Sequence, residues 1–214
     1  MPMKPHLRAL ILAVAVGALL VAAEGSTQSP PAKRVALLVD NGLLVGNSIN
    51  SMRAALQAFV DGLPPQDEIM LATIASTFRL RQAPTTDRKK LKDAIGLIFI
   101  EGSGTQLVSS VMEADNRFVK PAKDRAGVIV VVTTDGPETS GDKIAEFNKW
   151  LRDLNTRQVV AHAIVMTHAE GRGNELQICL SLTKSTGGRY ESIATATTLP
   201  DKLKAIASVI AENR

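Results

Sequence analysis

Val35-Ala36-Leu37-Leu38-Val39-Asp40 is an unbroken apolar run that stops on a carboxylate, and Val128-Ile129-Val130-Val131-Val132-Thr133-Thr134-Asp135 is another. Aliphatic and β-branched runs of this kind predict strands buried on both faces, as in a parallel sheet covered by helices. Ligands of such sheets sit outside the carboxyl ends of the strands, where the strand order reverses. A Gly102-Ser103-Gly104-Thr105 loop lies between the two runs. Two aspartates and a loop hydroxyl at one sheet edge make an oxygen-rich place suited to a hard cation.

Outward from these runs, strands and helices alternate. Ile49, Met52, Leu56, Phe59, Val60 and Leu63 recur at helical spacing, with Asn47 or Ser48 as N-cap and Pro64-Pro65 as the stop. Glu68 to Ala75 reads as a second apolar strand. Phe78 to Gln82 alternates with period two, as an exposed edge strand does. Thr86 or Asp87 caps a helix through Leu91, Ala94, Ile95 and Ile98, and another helix follows the Gly102–Thr105 loop. Beyond the Asp135 strand come a helix marked by Ile144, Phe147, Leu151 and Leu154, and a strand from Val159 to Met166. A helix from Glu175 then ends at Gly187-Gly188, followed by a short strand and a closing helix. This order predicts a three-layer α/β/α sandwich with a mostly parallel central sheet and one antiparallel edge strand.

The first residues describe a destination. Lys4, His6 and Arg8 form a basic leader to the uncharged stretch Ala9–Ala23, and Val21-Ala22-Ala23 suits signal cleavage. The stretch is short for a membrane span. The expected organisation is a signal peptide at 1–23, a flexible leader at 24–33 and one domain at 34–214, exported to a periplasm or secreted, with no membrane span after cleavage. Removing the signal takes the 25 basic residues to 23 against 21 acidic, so the basic character of the whole chain says little about partners. No basic stripe interleaves with aromatics, which argues against nucleic acid. The single cysteine, Cys179, cannot close an internal disulfide and reads as a buried inert thiol.

Six pieces stand in a fixed order: the strand ending at Asp40, the Asp67-Glu68 strand start, the Thr85-Thr86-Asp87-Arg88 turn, Gly102-Ser103-Gly104-Thr105, Thr133-Thr134-Asp135-Gly136 and Ser185-Thr186-Gly187-Gly188-Arg189-Tyr190. On these the chain resembles the von Willebrand factor type A domain family. The resemblance spans nearly the whole mature chain. It implies a Rossmann-like fold and a metal-ion-dependent adhesion site, built from an Asp-x-Ser-x-Ser loop, a Thr and a second Asp. Carried over, Asp40, Thr105 and Asp135 take the metal positions, and Gly42 and Leu44 stand where the serines would be. Neither can ligate a cation, so the resemblance implies a degenerate site. Mg²⁺ demands near-octahedral oxygen coordination, and each missing oxygen counts. No cofactor is the expectation, with Mg²⁺ or another divalent cation as the alternative. Asn41, Asn47, Ser48 and Glu138 are the replacement oxygens if the loop folds differently.

Each of these residues also has a plainer reading. Asp40 can accept backbone amides and organise neighbouring loops. Asp135-Gly136-Pro137 has the chemistry of a tight turn. Thr105 suits an N-cap. Leu43-Leu44-Val45 either tucks under the loop as core or forms an exposed apolar contact. His162 reads as a core or edge histidine with a satisfied ring, and His168 as a solvent-exposed loop residue. Lys89-Lys90 and Lys120, Lys123 and Arg125 read as solvated helix ends, and Gly171-Arg172-Gly173 as a flexible loop.

The function these features favour is a non-enzymatic interaction module. It would hold a protein partner at the carboxyl edge of the sheet, with Asp40, Asn41, Leu43, Leu44, Asn47, Thr105, Asp135 and Glu138 as candidate binding residues. The alternatives are Mg²⁺-dependent ligand binding, or a Mg²⁺-assisted phosphohydrolase using Asp40 and Asp135. Against hydrolysis, Asn41-Gly42 follows Asp40 where a second carboxylate would serve, and no Gly-x-Ser-x-Gly elbow is present. A third possibility is a structural subunit of an envelope assembly.

Overall fold

The strands need no polar alternation because helices cover both faces of the sheet. The computed structural model describes residues 31–168 and 173–212. The expected signal at 1–23, most of the leader and Gly171-Arg172 lie outside the described residues. One sheet contains β1 (Lys33–Val39), β2 (Glu68–Thr73), β3 (Arg79–Thr85), β4 (Ala126–Thr134), β5 (Val160–Met166) and β6 (Tyr190–Ile193). Their order is β3-β2-β1-β4-β5-β6, and every neighbouring pair is parallel except β2 with β3. This is the expected three-layer sandwich with one antiparallel edge strand. β1 begins at Lys33, whose amide donates to Asp67 Oδ1 at 2.8 Å, so the first strand starts one residue inside the expected leader.

β1 is central. Its Leu37 aligns with Leu71 of β2 on one side and Val130 of β4 on the other. The chain leaves β1 for β2 and later returns to β4, so the strand order reverses between β1 and β4. Asp40 and Asp135 follow the ends of these two strands, at the place where open α/β sheets bind ligands.

Alternate residues of β1 feed two cores. Val35, Leu37 and Val39 pack with α1 (Ile49–Gly62), α2 (Arg88–Gly96) and α6 (Leu199–Glu212). Ala36 and Leu38 pack with α3 (Leu107–Ala114), α4 (Ile144–Thr156) and α5 (Glu175–Thr186). Each fully buried Leu or Val side chain contributes about 1.5–3 kcal/mol. Among the described residues, both cores draw on Val35 to Ile210, so a chain starting at Glu24 contains every described element of the fold.

Local signals place the helices. Asp87 caps α2, its carboxylate accepting the Lys90 amide at 3.1 Å. Gly187 ends α5 in the left-handed conformation, φ 70°. Ser48 stands at the N-cap of α1 without a side-chain capping bond. A tight 3-10 segment, Leu43–Ser48, precedes it and bends at Gly46, whose φ of 47° favours glycine. α3 runs on into a π-helical turn, Asp115–Val119. There the buried Asp115 accepts from Trp150 Nε1 at 2.8 Å and pairs with Arg157. Among the described residues, no helix is long and apolar enough to cross a membrane.

Candidate functional site

The carboxyl edge is knitted together by its own carboxylates. Asp40 is buried, and its Oδ1 accepts the Gly42 amide at 2.7 Å. Its Oδ2 accepts the Thr134 hydroxyl at 2.7 Å and the Thr134 amide at 3.3 Å. One carboxylate therefore holds the loop after β1 to the end of β4, which is the organising role open to it from sequence.

Asn41 ties the same loop to the segment after α2. Its carbonyl accepts the Glu101 amide at 2.7 Å, and its Nδ2 donates to the Phe99 carbonyl at 2.7 Å. Glu101 in turn pairs with Arg79 and Arg81, and the Arg81 guanidinium lies 5.5 Å from the Phe99 ring centre. Gly102 has φ 69°, and a Cβ there would fall 1.8 Å from Ser76 Oγ. Only glycine fits that crossing. Asn41 is fully buried, so its side chain serves the framework and does not reach a surface partner.

Thr105 does not cap α3. Gln106 holds the N-cap position, and the helix amides are taken from outside by Glu138. Glu138 Oε2 accepts Leu107 N at 2.7 Å and Val108 N at 3.3 Å, and Ser140 Oγ accepts Ser109 N at 3.1 Å. An anion at a helix N-terminus meets free donors and the positive end of the dipole. Glu138 also accepts from the amide and hydroxyl of Ser140, so its oxygens are used inside the protein. Thr105 is buried and bridges the loops through its backbone, to the Pro137 carbonyl at 3.1 Å and from the Thr139 amide at 2.8 Å.

Asp135 faces His168. Its Oδ2 accepts the His168 amide at 2.9 Å, and its Oδ1 lies 2.9 Å from His168 Nδ1. His168 is the solvent-exposed loop residue expected, and it also fastens the segment after β5 to the end of β4. Its side chain is 39% exposed. Glu175 belongs to no motif of the sequence. This first residue of α5 is wholly buried, and neither carboxyl oxygen has a partner among the described residues. Burial pushes its carboxyl up to about 8, helped by the negative charges of Glu138, Asp40 and Asp135. A signal was present: Glu175, Ile178, Cys179 and Leu182 lie at helical spacing, so an acid heads the apolar stripe of α5.

Asp40, Gly42, Leu44, Ser103, Thr105 and Thr134 line a cavity of about 10 Å³, room for about one water. Leu44 roofs it, with Cδ1 2.9 Å from where a Cβ on Gly136 would stand. Among the described residues, no three His, Cys, Asp or Glu side chains are grouped to hold a metal ion. The oxygens of Asp40 face protein donors and those of Asp135 face His168, a poor match to a small cation that needs six oxygens.

The Leu43-Leu44-Val45 run splits between its two readings. Val45 is buried, whereas Leu43 is 63% and Leu44 40% exposed. Asn47 is exposed beside them. The other exposed large hydrophobics among the described residues are Leu97 at 75%, Phe99 at 52% and Ile144. Leu97 and Phe99 follow α2, which rises to this edge, and Ile144 opens α4, which descends from it. All five therefore lie at the carboxyl edge. Elsewhere the plain readings hold: His162 is buried with Nδ1 accepting the Arg189 amide at 3.0 Å, and Cys179 is buried with its thiol pushed up by desolvation.

Residues 35–138 match the family model of the von Willebrand factor type A domain. This part of the chain belongs to that family. No curated protein matches the chain in sequence. A von Willebrand factor type A structure from Catenulispora acidiphila is similar with a TM-score of 0.72 at 12% identity, over 86% of this chain and 43% of that one. An aerotolerance-related membrane protein from Bacteroides fragilis is similar at 0.64 and 18%, over 85% of this chain and 100% of that one. The pilus adhesin SpaC from Lactobacillus rhamnosus is similar at 0.66 and 13%, over 86% and 30%. The chain thus spans less than half the length of the first and third. At these identities the likeness is one of fold. Type A domains generally serve as interaction modules.

Proposed function

We propose that this type A domain is an exported, non-enzymatic module that holds a protein partner at the carboxyl edge of its sheet without a metal ion. One observation carries the reading: the exposed large hydrophobics of the described residues gather at this edge, while its carboxylates are spent on internal hydrogen bonds. Exposed apolar clusters mark partner sites. Leu43, Leu44, Leu97 and Phe99 are the contact residues, with Asn47 as a polar neighbour. Asp40, Asn41, Thr105, Asp135 and Glu138 hold the loops in shape beneath them. The basic leader and the Ala9–Ala23 stretch support export.

Site-specific photo-crosslinking in the native envelope tests this. A crosslinker at Leu43 or Phe99 is expected to give one discrete protein adduct, lost in Leu44→Asp, while a crosslinker at Lys90 on the opposite edge gives none. An adduct that forms from Lys90 and survives Leu44→Asp would move the interface to the other edge.

A further inference from the structure

The loop that follows the π-helical turn carries charge that the carboxyl edge does not use. Arg117 to Arg125 contains four cations and one acid, Asp124. At the amino edge of the sheet, Lys120, Lys123 and Arg125 meet Arg157, from the turn between α4 and β5, around a recess of about 390 Å³. No acid lines it. Carboxylates stand close by, among them the exposed Asp124, 3.7 Å from Arg125 Nε. Arg157 is bound to the buried Asp115, and Arg125 Nε lies 3.5 Å from Glu68. Lys120 has a looser contact, 3.7 Å from Asp153, and remains half exposed. Lys123 is exposed and has no carboxylate partner among the described residues. The two arginines are held by carboxylates, and the two lysines are the exposed cations of the lining.

The same edge carries the exposed Lys89 and Lys90, beside Asp93 and Asp87, and Arg34, paired with Glu68, while Lys33 is buried. It is also the edge at which β1 starts, downstream of Ala9–Ala23 through residues 24–32. On the export reading proposed above, and until cleavage after Ala23, that connection reaches at most about 30 Å and holds this edge of the domain nearest the membrane. We propose that the amino edge docks on anionic phospholipid headgroups, with Lys120 and Lys123 taking the headgroup phosphates. Several features favour a lipid surface over other anions. The cations spread along an edge and no buried donor points into the recess, which suits a surface better than one enclosed ion. No aromatic lines it to stack a base, as single-stranded nucleic acid would need. Each cation near an anionic leaflet strengthens binding about five-fold. The docking is independent of what the carboxyl edge holds.

Vesicle sedimentation of the chain from Glu24 to Arg214 tests it. Vesicles of phosphatidylcholine with about one-third phosphatidylglycerol are expected to carry the protein down at low salt, and pure phosphatidylcholine is not. Raising salt from about 0.05 M to about 0.5 M should release it. Lys120→Glu/Lys123→Glu is expected to weaken binding at least about ten-fold. Lys143→Glu/Lys149→Glu, an equal charge change on and below the other edge, should leave it within about two-fold. Circular dichroism confirms that each variant is folded. Equal binding to neutral vesicles, equal loss in both variants, or no binding would overturn the proposal. Full displacement by millimolar inorganic phosphate would reassign the recess to a free anion, and displacement by single-stranded oligonucleotide to nucleic acid.

Discussion

The Thr134 hydroxyl donates to Asp40 Oδ2 at 2.7 Å, joining the ends of two neighbouring parallel strands at the switch point of the sheet. The bond is buried and its acceptor is a carboxylate, which makes it one of the stronger kinds. Thr134→Val keeps the volume and removes the donor. The variant is expected to lose about 1.5–3 kcal/mol, measured by urea unfolding. A loss under about 0.5 kcal/mol would mean that other donors suffice for Asp40.

If Asp40 and Asp135 stay bound to their protein partners, divalent cations find little to bind. Anything that binds the native state raises the melting temperature by mass action. The domain is expected to melt at the same temperature, within about 1 °C, in EDTA and in millimolar Mg²⁺, Mn²⁺ or Ca²⁺. A clear rise that disappears in Asp135→Ala would restore a metal to this edge and remove metal independence from the proposed function.

Glu175 makes stability fall with rising pH. Its carboxyl ionises near 4.5 in the unfolded chain and is held protonated up to about 8 in the fold. Between those values the unfolded state binds fewer protons, so stability declines across that window. Glu175→Gln removes the titration and keeps the shape. It is expected to melt above the wild type at about pH 9 and to converge with it near pH 5. Equal melting temperatures at both pH values would show that the ionised carboxylate is well accommodated.

His162 acts at the acid end. Burial, and then the charge of Arg189, lower its ring from 6.5 to about 4. The unfolded chain therefore binds the extra proton first, and stability is lost as pH falls from about 6.5 through about 4. His162→Asn offers an acceptor near the place of Nδ1 and should flatten that limb of the stability profile. Chemical denaturation at several pH values reads it, and an unchanged slope would point to other groups.

Leu44→Asp separates binding from folding. Leu44 is partly exposed, so the change should move stability by no more than about 0.5–1 kcal/mol while the crosslinked adduct disappears. Unfolding of this variant would mean that Leu44 acts mainly as a roof over the loop, and Phe99→Asp then becomes the decisive interface variant.

The runs ending at Asp40 and Asp135 made the sheet legible, because a strand covered on both faces must be apolar throughout. Asp87 and Gly187 were legible as helix ends, since their capping chemistry is local. The internal life of the edge was not. α3 is capped by Glu138, 31 residues from Leu107, and no local pattern reports a bond made across two loops. The tie of the loop residue His168 to Asp135 was hidden because the two lie 33 positions apart. Glu175 stood in plain view at the head of an apolar stripe, but an acid in the first helical turn is ordinarily a dipole partner facing water.

A parallel sheet also sets a distance. The seven residues of β1 span about 23 Å between the Leu43–Leu44 loop and the Lys120–Lys123 recess. That is more than twice the Debye length of about 8–10 Å in physiological salt, and far beyond the range over which substitutions interact. The two edges are thermodynamically separable. Double-mutant cycles between Leu44 and Lys123 should sum to zero coupling, so either surface can change under selection while the other stays as it is.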